Sequence, residues 1–423
     1  MKTKTKVYNS GLRLIVSTTD TKAVSMFIGV DTGSVNEDKT NNGISHFIEH
    51  MVFKGTKNRT SEQINRDFES LGAVTNAFTS PYVTAFHSQC IDENADKCFE
   101  ILSDLILNPT FDETEFKKER KVIFEEIDMY EDDPGSVAYD NFICKFFEGT
   151  KMGKLLIGTK KILNKLTPQH LRDYMAKFYV PPNIVVSVAG GVDFETAEKF
   201  VNKHFACRFK TKGHPHVYNQ DKKVFMAPKS IFLGLKKDIN QTNIIFGLPI
   251  CGVFSDDRLA YGVASFIFGG SMSSRLSERI RNKLAFVYSI HALPDFYDIG
   301  GVLNVSFATN KEHQEEAILA IKQEMDDLMN NGVSDEEFNR AKTFYKSTII
   351  LSEENSINIA RHNLTNVLTF NEYKSIEDRI AGINRVTKEQ VNRIFKCMFQ
   401  TKNVCGVVVS SEPNTKIFAP LVD

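Results

Sequence analysis

The sequence predicts an α+β protein of two homologous, duplicated domains, each a largely antiparallel sheet covered by helices. The first observation is a mixture of Val- and Ile-rich strand patterns, such as Leu12–Thr18, with long helical patterns, such as Glu93–Leu107 and Lys311–Asn331. The second is that three segments of the first half recur, in the same order, in the second half. Helices and strands arranged in this way are typical of a helical layer on a sheet.

The recurring segments justify the duplication. The matching pairs are Val24–Val30 with Thr242–Leu248, Phe111–Lys121 with Val333–Thr343, and Leu166–Gly191 with Val386–Ser411. The last pair aligns without gaps, and each copy begins with a Thr-capped helix that leads through an Asn into a Val-rich strand. We therefore expect a first domain over residues 1–210 and a homologous second domain over residues 224–423. The polar segment between them, residues 211–223, contains Gly213 and Pro215 and is expected to be a linker.

Composition excludes several classes of function. The chain has 423 residues, of which 42% are hydrophobic and 25% charged, and its formal net charge is -1. Such a balance is typical of a globular protein and gives no global field to attract nucleic acid or membrane. No apolar run is long enough to span a membrane, and Arg13 interrupts the apolar part of the basic N-terminal segment, so we expect no export signal and no membrane insertion.

Seven cysteines occur in the sequence, and none of them forms a close pair of the kind that binds metals. They are expected to be free thiols in a reducing compartment, which indicates a cytoplasmic protein.

The segment Gly43–Thr56 carries the strongest chemical signal. His46, Glu49 and His50 occupy positions i, i+3 and i+4, which share one face of a helix. Two imidazoles at this spacing can bind one Zn²⁺ and leave a position for water, from which the adjacent carboxylate can take a proton. The alternative is a pair of core histidines beside a surface glutamate. The second copy has Tyr261–Ser265 at this place, without the histidines, and this asymmetry favours a functional role.

A third ligand is expected on the helix that begins near Asp112. Glu119 and Glu126 lie two turns apart on a face that also holds Val122 and Ile123. Carboxylates on a buried stripe need a compensating cation, which a metal would supply, whereas on a solvated helix edge they would need none. The corresponding residues of the second copy are Ala341 and Thr348, so the carboxylates and the histidines are missing together.

These residues resemble the pitrilysin/insulinase-type zinc metallopeptidases, the inverted zincins, and in particular the branch of about 420 residues that includes mitochondrial processing peptidase and its bacterial relatives. The likeness extends over nearly the whole chain. It is carried by the segments HFIEH, VFKGT, ERKVIFEEI, IGTKKILNKLT, NIVVSVAGG and GGSMSSRLSERI. The resemblance implies one Zn²⁺ per chain, with His46, His50 and Glu126 as ligands and Glu49 as the general base. It also implies that one chain supplies half of a four-domain clamshell.

Further residues gain roles from the resemblance. It implies that Glu119 supports a ligand or aids catalysis, that the strand with Asn76 and Ala77 pairs with substrate, and that Arg281 and Tyr288 contact the substrate backbone. The sequence departs from the family at two places. Ala285 and Phe286 replace the usual Gly-Leu before the tyrosine, and Tyr82 stands where many relatives have a glutamate.

The expected function is a zinc-dependent endopeptidase that hydrolyses extended peptides or presequence-like N-termini. A peptide would add as a strand along residues 76–84, which excludes folded proteins as substrates. The acidic run Glu125–Asp133 predicts a preference for basic peptides. The alternatives are a noncatalytic scaffold or peptide-binding subunit of the same fold and a general degrader of short peptides. We expect a homodimer, with a silent homologous partner or a monomer as alternatives.

Overall fold

The computed structural model describes residues 1–216 and 230–422, which divide into two compact units. Unit 1 is drawn from Met1–Asp128, Lys154–Tyr218 and Leu351–Lys374. Unit 2 is drawn from Met129–Gly153, Asn219–Ile350 and Ser375–Asp423. Each unit contains one sheet and the helices that cover it.

The strands of the described residues fall into two sheets. They are β1 Lys2–Val7, β2 Arg13–Thr18, β3 Ala23–Val30, β4 Val74–Thr79, β5 Thr84–Ile91, β6 Ile184–Gly190, β7 Ile231–Lys236, β8 Thr242–Ile250, β9 Val287–Tyr297, β10 Gly300–Thr309 and β11 Cys405–Ser410. The sheet of unit 1 has the order β1-β2-β6-β3-β5-β4, and that of unit 2 has the order β7-β11-β8-β10-β9. Only the pairs β2–β6 and β7–β11 are parallel among these strands.

The helices cover both sheets. They are α1 Ile44–Met51, α2 Ser61–Ser70, α3 Ala95–Leu107, α4 Glu113–Asp132, α5 Pro134–Phe146, α6 Lys160–Leu163, α7 Pro168–Phe178, α8 Phe194–His204, α9 Arg258–Phe268, α10 Gln314–Asn331, α11 Asp335–Ser352, α12 Ser356–Phe370, α13 Ile376–Arg385 and α14 Lys388–Phe399. A π-helix spans Ser277–Lys283. The predicted α+β class, with two largely antiparallel sheets covered by helices, is confirmed.

The two contiguous halves exchange one helix each. In unit 1, α12 from the second half packs on β3 and β6, and a Cβ on Gly29 would meet Leu364 of this helix at 2.5 Å. In unit 2, α5 from the first half packs on β8 and β11, and a Cβ on Gly247 would meet Phe142 at 2.4 Å. Each glycine lets a large apolar side chain reach the sheet. In unit 1 the exchanged helix covers the second apolar face of the sheet, which helices of the same half leave open, and in unit 2 α5 lies on β8 and β11.

The compact units therefore differ from the expected contiguous domains, residues 1–210 and 224–423, by these two segments. Of the expected linker, residues 211–216 have no helix or strand, and residues 217–223 lie outside the described residues. Near its start, the amide of Gly213 donates to the carbonyl oxygen of Asn9 at 3.1 Å, so this part of the segment is hydrogen-bonded to unit 1.

All seven cysteines are free. In the described part of the chain, no helix is both long enough and apolar enough to cross a membrane.

Candidate metal centre

The start of helix α1 is held by the backbone conformation of Gly43 and by hydrogen bonds to Glu37. Gly43 has φ 94°, in the left-handed region that favours glycine, and a Cβ there would lie 2.5 Å from the carbonyl oxygen of Ile157. The buried Glu37 carboxylate accepts hydrogen bonds from the Gly43 amide at 2.7 Å, the Ser45 amide at 2.9 Å and the Asn42 side chain at 2.8 Å. A carboxylate at a helix N-terminus satisfies free amides and complements the helix dipole. Glu37 thus anchors the helix that carries the histidines.

The apolar side of α1 fixes its orientation. Ile44, Phe47 and Ile48 are buried in the core of unit 1. The ring of Phe47 stacks on that of Phe116 of α4, with centroids 4.5 Å apart. Packing of α1 against α4 brings the histidines of one helix next to the glutamates of the other.

The predicted ligands lie together in unit 1. Nε2 of His46 is 3.7 Å from Oε2 of Glu126, and Nε2 of His50 is 3.4 Å from the same oxygen. One potential ligand atom from each of these three residues lies within 4.8 Å of the other two. Across residues 1–216 and 230–422, this is the one group of three or more His, Cys, Asp or Glu side chains with such spacing.

The chemistry of this group fits a zinc ion. Oε2 of Glu126 is buried, faces Nε2 of both histidines and has no hydrogen-bond partner, which would be costly without a cation. Nδ1 of His50 lies 2.9 Å from Oε1 of Glu119, so an N–H there would leave Nε2 with a free lone pair toward Glu126. Two imidazole nitrogens and one carboxylate oxygen are a donor set of catalytic zinc sites.

The electrostatics of the group favour a positive charge. Burial would lower the pKa of His50, but the carboxylates of Glu119 and Glu126 outweigh it and raise this pKa to about 9. Burial, together with the nearby His50, lowers the pKa of His46 to about 4. The neighbouring His50 lowers the pKa of Glu126. Near neutral pH the two imidazoles thus carry one positive charge, on His50, beside an ionised Glu126, and a metal cation could supply this charge instead.

Glu119 joins the metal group to a lysine. Only 6% of its side chain is exposed, and Oε2 lies 2.8 Å from Nζ of Lys54 while Oε1 faces His50. Burial alone would raise the pKa of Glu119, but the hydrogen bonds with His50 and Lys54 prevail and lower it. A buried, ionised carboxylate in contact with Nδ1 fixes both the orientation and the tautomer of His50.

Glu49 points toward the edge of the sheet. Its Oε2 accepts a hydrogen bond of 2.6 Å from the hydroxyl of Thr79, the last residue of β4. Burial raises the pKa of Glu49, opposed by this hydrogen bond. A carboxylate whose pKa is raised toward neutrality is a better proton acceptor for general base catalysis.

Strand β4 carries Asn76 and Ala77 and lies at the edge of the six-stranded sheet. It ends at Thr79, so the strand expected along residues 76–84 is interrupted by the turn that leads into β5. Asn76 is exposed, and its side chain accepts a hydrogen bond from the amide of Ala77 at 2.8 Å. On α4, Val122 is 49% exposed and so does not lie on the buried stripe, whereas Ile123 does.

Arg281 and Tyr288 lie in unit 2. The guanidinium of Arg281 lies 5.6 Å from the ring centroid of Tyr288, and 86% of this tyrosine is exposed. Ala285, between them, adopts φ 53°, a left-handed conformation that costs a residue with a Cβ about 1–2 kcal/mol. Glycine, which the resemblance leads one to expect at this position, would adopt this conformation without that cost.

Three residues at the metal centre were not predicted from the sequence. Glu37, Lys54 and Thr79 occur in segments without periodicity or motif spacing that would connect them to the histidines. Lys54 belongs to the segment VFKGT, which contributes to the resemblance, but nothing in the sequence assigns this lysine a function. Their contacts depend on which loops and strands surround α1, and a single sequence does not encode that in its spacing.

The fold and the site define a class, the zinc-dependent proteases of inverted HxxEH type. Residues 13–160 match the family model described as "Insulinase (Peptidase family M16)", and residues 165–345 match "Peptidase M16 inactive domain". The chain belongs to the M16 family of peptidases. The part matched by the second model lacks the metal-binding residues, in agreement with its description.

Curated relatives span the chain. The uncharacterized zinc protease YmxG of Bacillus subtilis is 30% identical over 96% of this chain and 97% of its own length. An uncharacterized zinc protease of Rickettsia felis is 31% identical over 89% of this chain and 90% of its own length. The prediction of zinc as cofactor is thus confirmed at the level of the family.

Solved structures show the same fold. A protease from Helicobacter pylori has a TM-score of 0.86 at 20% identity, covering 96% of this chain and 99% of that one. A peptidase M16 inactive domain from Pseudomonas fluorescens has a TM-score of 0.87 at 17% identity, covering 97% of this chain and 99% of that one.

Proposed function

We propose that this chain is a zinc-dependent endopeptidase that hydrolyses extended peptides. The observation that carries the proposal is the group formed by His46, His50 and Glu126, with the buried Glu49 carboxylate close enough to interact electrostatically with His50 and Glu126. Zinc held by these three side chains would polarise the scissile carbonyl and acidify a water molecule. Glu49 accepts the proton of the attacking water and delivers it to the leaving amine. Glu119 holds His50 in the orientation and tautomer that binding requires.

The edge strand β4 supports extended peptides as substrates. An edge strand offers backbone N–H and C=O groups to an added strand, and Asn76 and Ala77 lie in this one. Glu49 is hydrogen-bonded to the end of the same strand. A peptide paired with β4 would therefore be held beside the general base, whereas a folded protein could not offer a free strand.

The variant Glu49→Gln tests this function. It should retain one zinc per chain and lose hydrolysis of quenched peptide substrates, because Glu49 is not a ligand. Near-normal turnover in the variant would contradict the mechanism. A wild-type chain that binds zinc but cleaves no peptide in a broad library would favour the noncatalytic subunit instead. The cleavage sites in that library would separate processing of N-termini from general degradation of short peptides.

A preference for basic peptides is the finer part of the proposal. Glu125 is exposed on α4 next to Glu126 and supports a negative potential there, whereas the charge of Asp128 is paired with that of Lys160. Peptides with Arg near the cut should be cleaved faster than matched peptides with Gln, and salt should reduce the difference. The variant Glu125→Gln should weaken this preference, whereas the distant control Glu195→Gln should keep it. Equal cleavage rates for both peptides at low salt would contradict the proposed preference for basic peptides.

We further propose that the chain works as a symmetric dimer in which Arg281 and Tyr288 of one subunit complete the site of the other. The exposed pair that these residues form in unit 2 is available to such a contact. Glu49→Gln and Arg281→Ala should each be nearly inactive alone, and mixing them under subunit exchange should restore activity. The control Arg279→Ala, which removes an arginine bound to Glu324, should be active alone. Exchange verified by mass without recovered activity would favour a monomer or a silent partner.

A further inference from the structure

We propose that Thr79 is a positioning residue for Glu49, whose hydroxyl holds one carboxylate oxygen so that the other faces the reacting water. The inference rests on the proposed function, since it gives Glu49 the role of base. Within the described part of the chain, the Thr79 hydroxyl is the one hydrogen-bond donor to the Glu49 side chain, at 2.6 Å from Oε2. A hydroxyl that donates to a carboxylate at this distance forms a strong, charge-assisted bond.

The backbone of Thr79 is itself fixed. Thr79 pairs with Thr84 of β5, and the turn between them is closed by hydrogen bonds between Ser80 and Val83 of 2.8 to 3.0 Å. The carbonyl oxygen of Pro81 accepts a hydrogen bond of 3.0 Å from the amide of Val35. This second bond ties the turn to the segment that precedes α1. The backbone that carries the Thr79 hydroxyl is therefore held in one position.

The side chain of Thr79 is equally restricted. Threonine is branched at Cβ, and its χ1 has few accessible values on a strand. Glu49, in contrast, has three rotatable bonds and would sample several rotamers without a partner. The hydrogen bond thus transfers the rigidity of the β4–β5 turn to the carboxylate. Oε1 of Glu49 is left as the atom that accepts the proton.

The position of Thr79 also links the base to the substrate. It is the last residue of the strand on which an extended peptide would lie. The strand that sets the position of the scissile bond therefore also sets the position of the carboxylate. A base aligned in this way needs no rearrangement when the peptide binds, and such alignment contributes directly to the rate.

The test compares Thr79→Val, which removes the hydroxyl but keeps the branch, with Thr79→Ser, which keeps the hydroxyl. With zinc content equal, Thr79→Val should lower kcat about 10- to 100-fold and change KM less than about twofold. Thr79→Ser should stay within about threefold of the wild type. Crystal structures of the zinc-bound proteins should show the Glu49 carboxylate displaced in Thr79→Val and unmoved in Thr79→Ser.

The control is Thr18→Val, at the end of β2. The hydroxyl of Thr18 donates to the carbonyl oxygen of Val192 at 2.9 Å and so makes a comparable bond away from Glu49. This variant should keep kcat within about threefold. Wild-type kcat in Thr79→Val, or an equal loss in Thr79→Ser, would overturn the proposal. If the wild type cleaves no peptide, the proposed function fails, and an unmoved Glu49 in the Thr79→Val structure would separately overturn the positioning role.

Discussion

Replacing Glu37 by Gln should loosen the helix that carries the histidines. Oε1 of Glu37 accepts from the Ser45 amide, and Oε2 accepts from the Gly43 amide and the Asn42 side chain. A glutamine has one oxygen, so its NH₂ group must face at least one of the two backbone amides. That amide is then buried without an acceptor.

The magnitude follows from these contacts. One buried unsatisfied amide costs about 1–3 kcal/mol. Loss of the negative charge at the N-terminus of α1 adds about 0.3–1 kcal/mol. Together these terms make local opening of α1 easier by about 1.3–4 kcal/mol. Even the lower figure corresponds to roughly 10-fold faster exchange of the α1 amide hydrogens.

Hydrogen exchange measured by mass spectrometry on peptides covering residues 42–52 checks this expectation. Zinc-free protein should be used, so that metal binding does not mask the opening. The control is Asp38→Asn, which changes the adjacent carboxylate. Asp38 is exposed and bonds to its own turn through Thr40, so exchange in α1 should stay near the wild-type rate. Equal protection of α1 in Glu37→Gln and the wild type would refute the reasoning.

Four other substitutions have expected outcomes. His50→Ala and Glu126→Gln should each lose zinc, because each removes a ligand. If elemental analysis finds one zinc per chain in both variants, the zinc ligands are other residues. Gly29→Ala should lower the free energy of unfolding by about 1–3 kcal/mol, measured in urea, because its Cβ would meet Leu364 of the exchanged helix; an unchanged midpoint would contradict this packing. Burial raises the pKa of Asp295 to about 6, so the folded state binds its proton more tightly and loses stability as pH rises through that value. Asp295→Asn should therefore gain in Tm relative to the wild type between about pH 4 and pH 7.5, and a constant difference would be the contrary result.

Periodicity and internal repetition identified much of the fold in advance. Strands β2, β6 and β11 and helices α3, α4, α7, α10 and α14 lie where their patterns predict them, because each pattern reports which side of a local element is buried. The repeats also predicted two related sheets. The exchange of α5 and α12 left no such signal. An amphipathic helix shows that it covers an apolar surface, but not which sheet provides that surface.

The residues of the candidate metal centre differ in the same way in how far the sequence predicts them. The sequence by itself determined His46, Glu49 and His50, since their separation is set by the pitch of one helix. The helix pattern indicated Glu119 and Glu126 as candidates for the third ligand, and the resemblance selected Glu126. Its approach to His50 requires α4 to pack against α1 through Phe116 and Phe47.

Only the tertiary structure decided the groups that hold these residues in place. Glu37 at the start of α1, Lys54 beside Glu119 and Thr79 beside Glu49 act through hydrogen bonds between elements far apart in the chain. Such bonds depend on distance and direction in space. A polar residue in a loop or at the end of a strand has the same appearance in the sequence whether it faces solvent or a buried carboxylate.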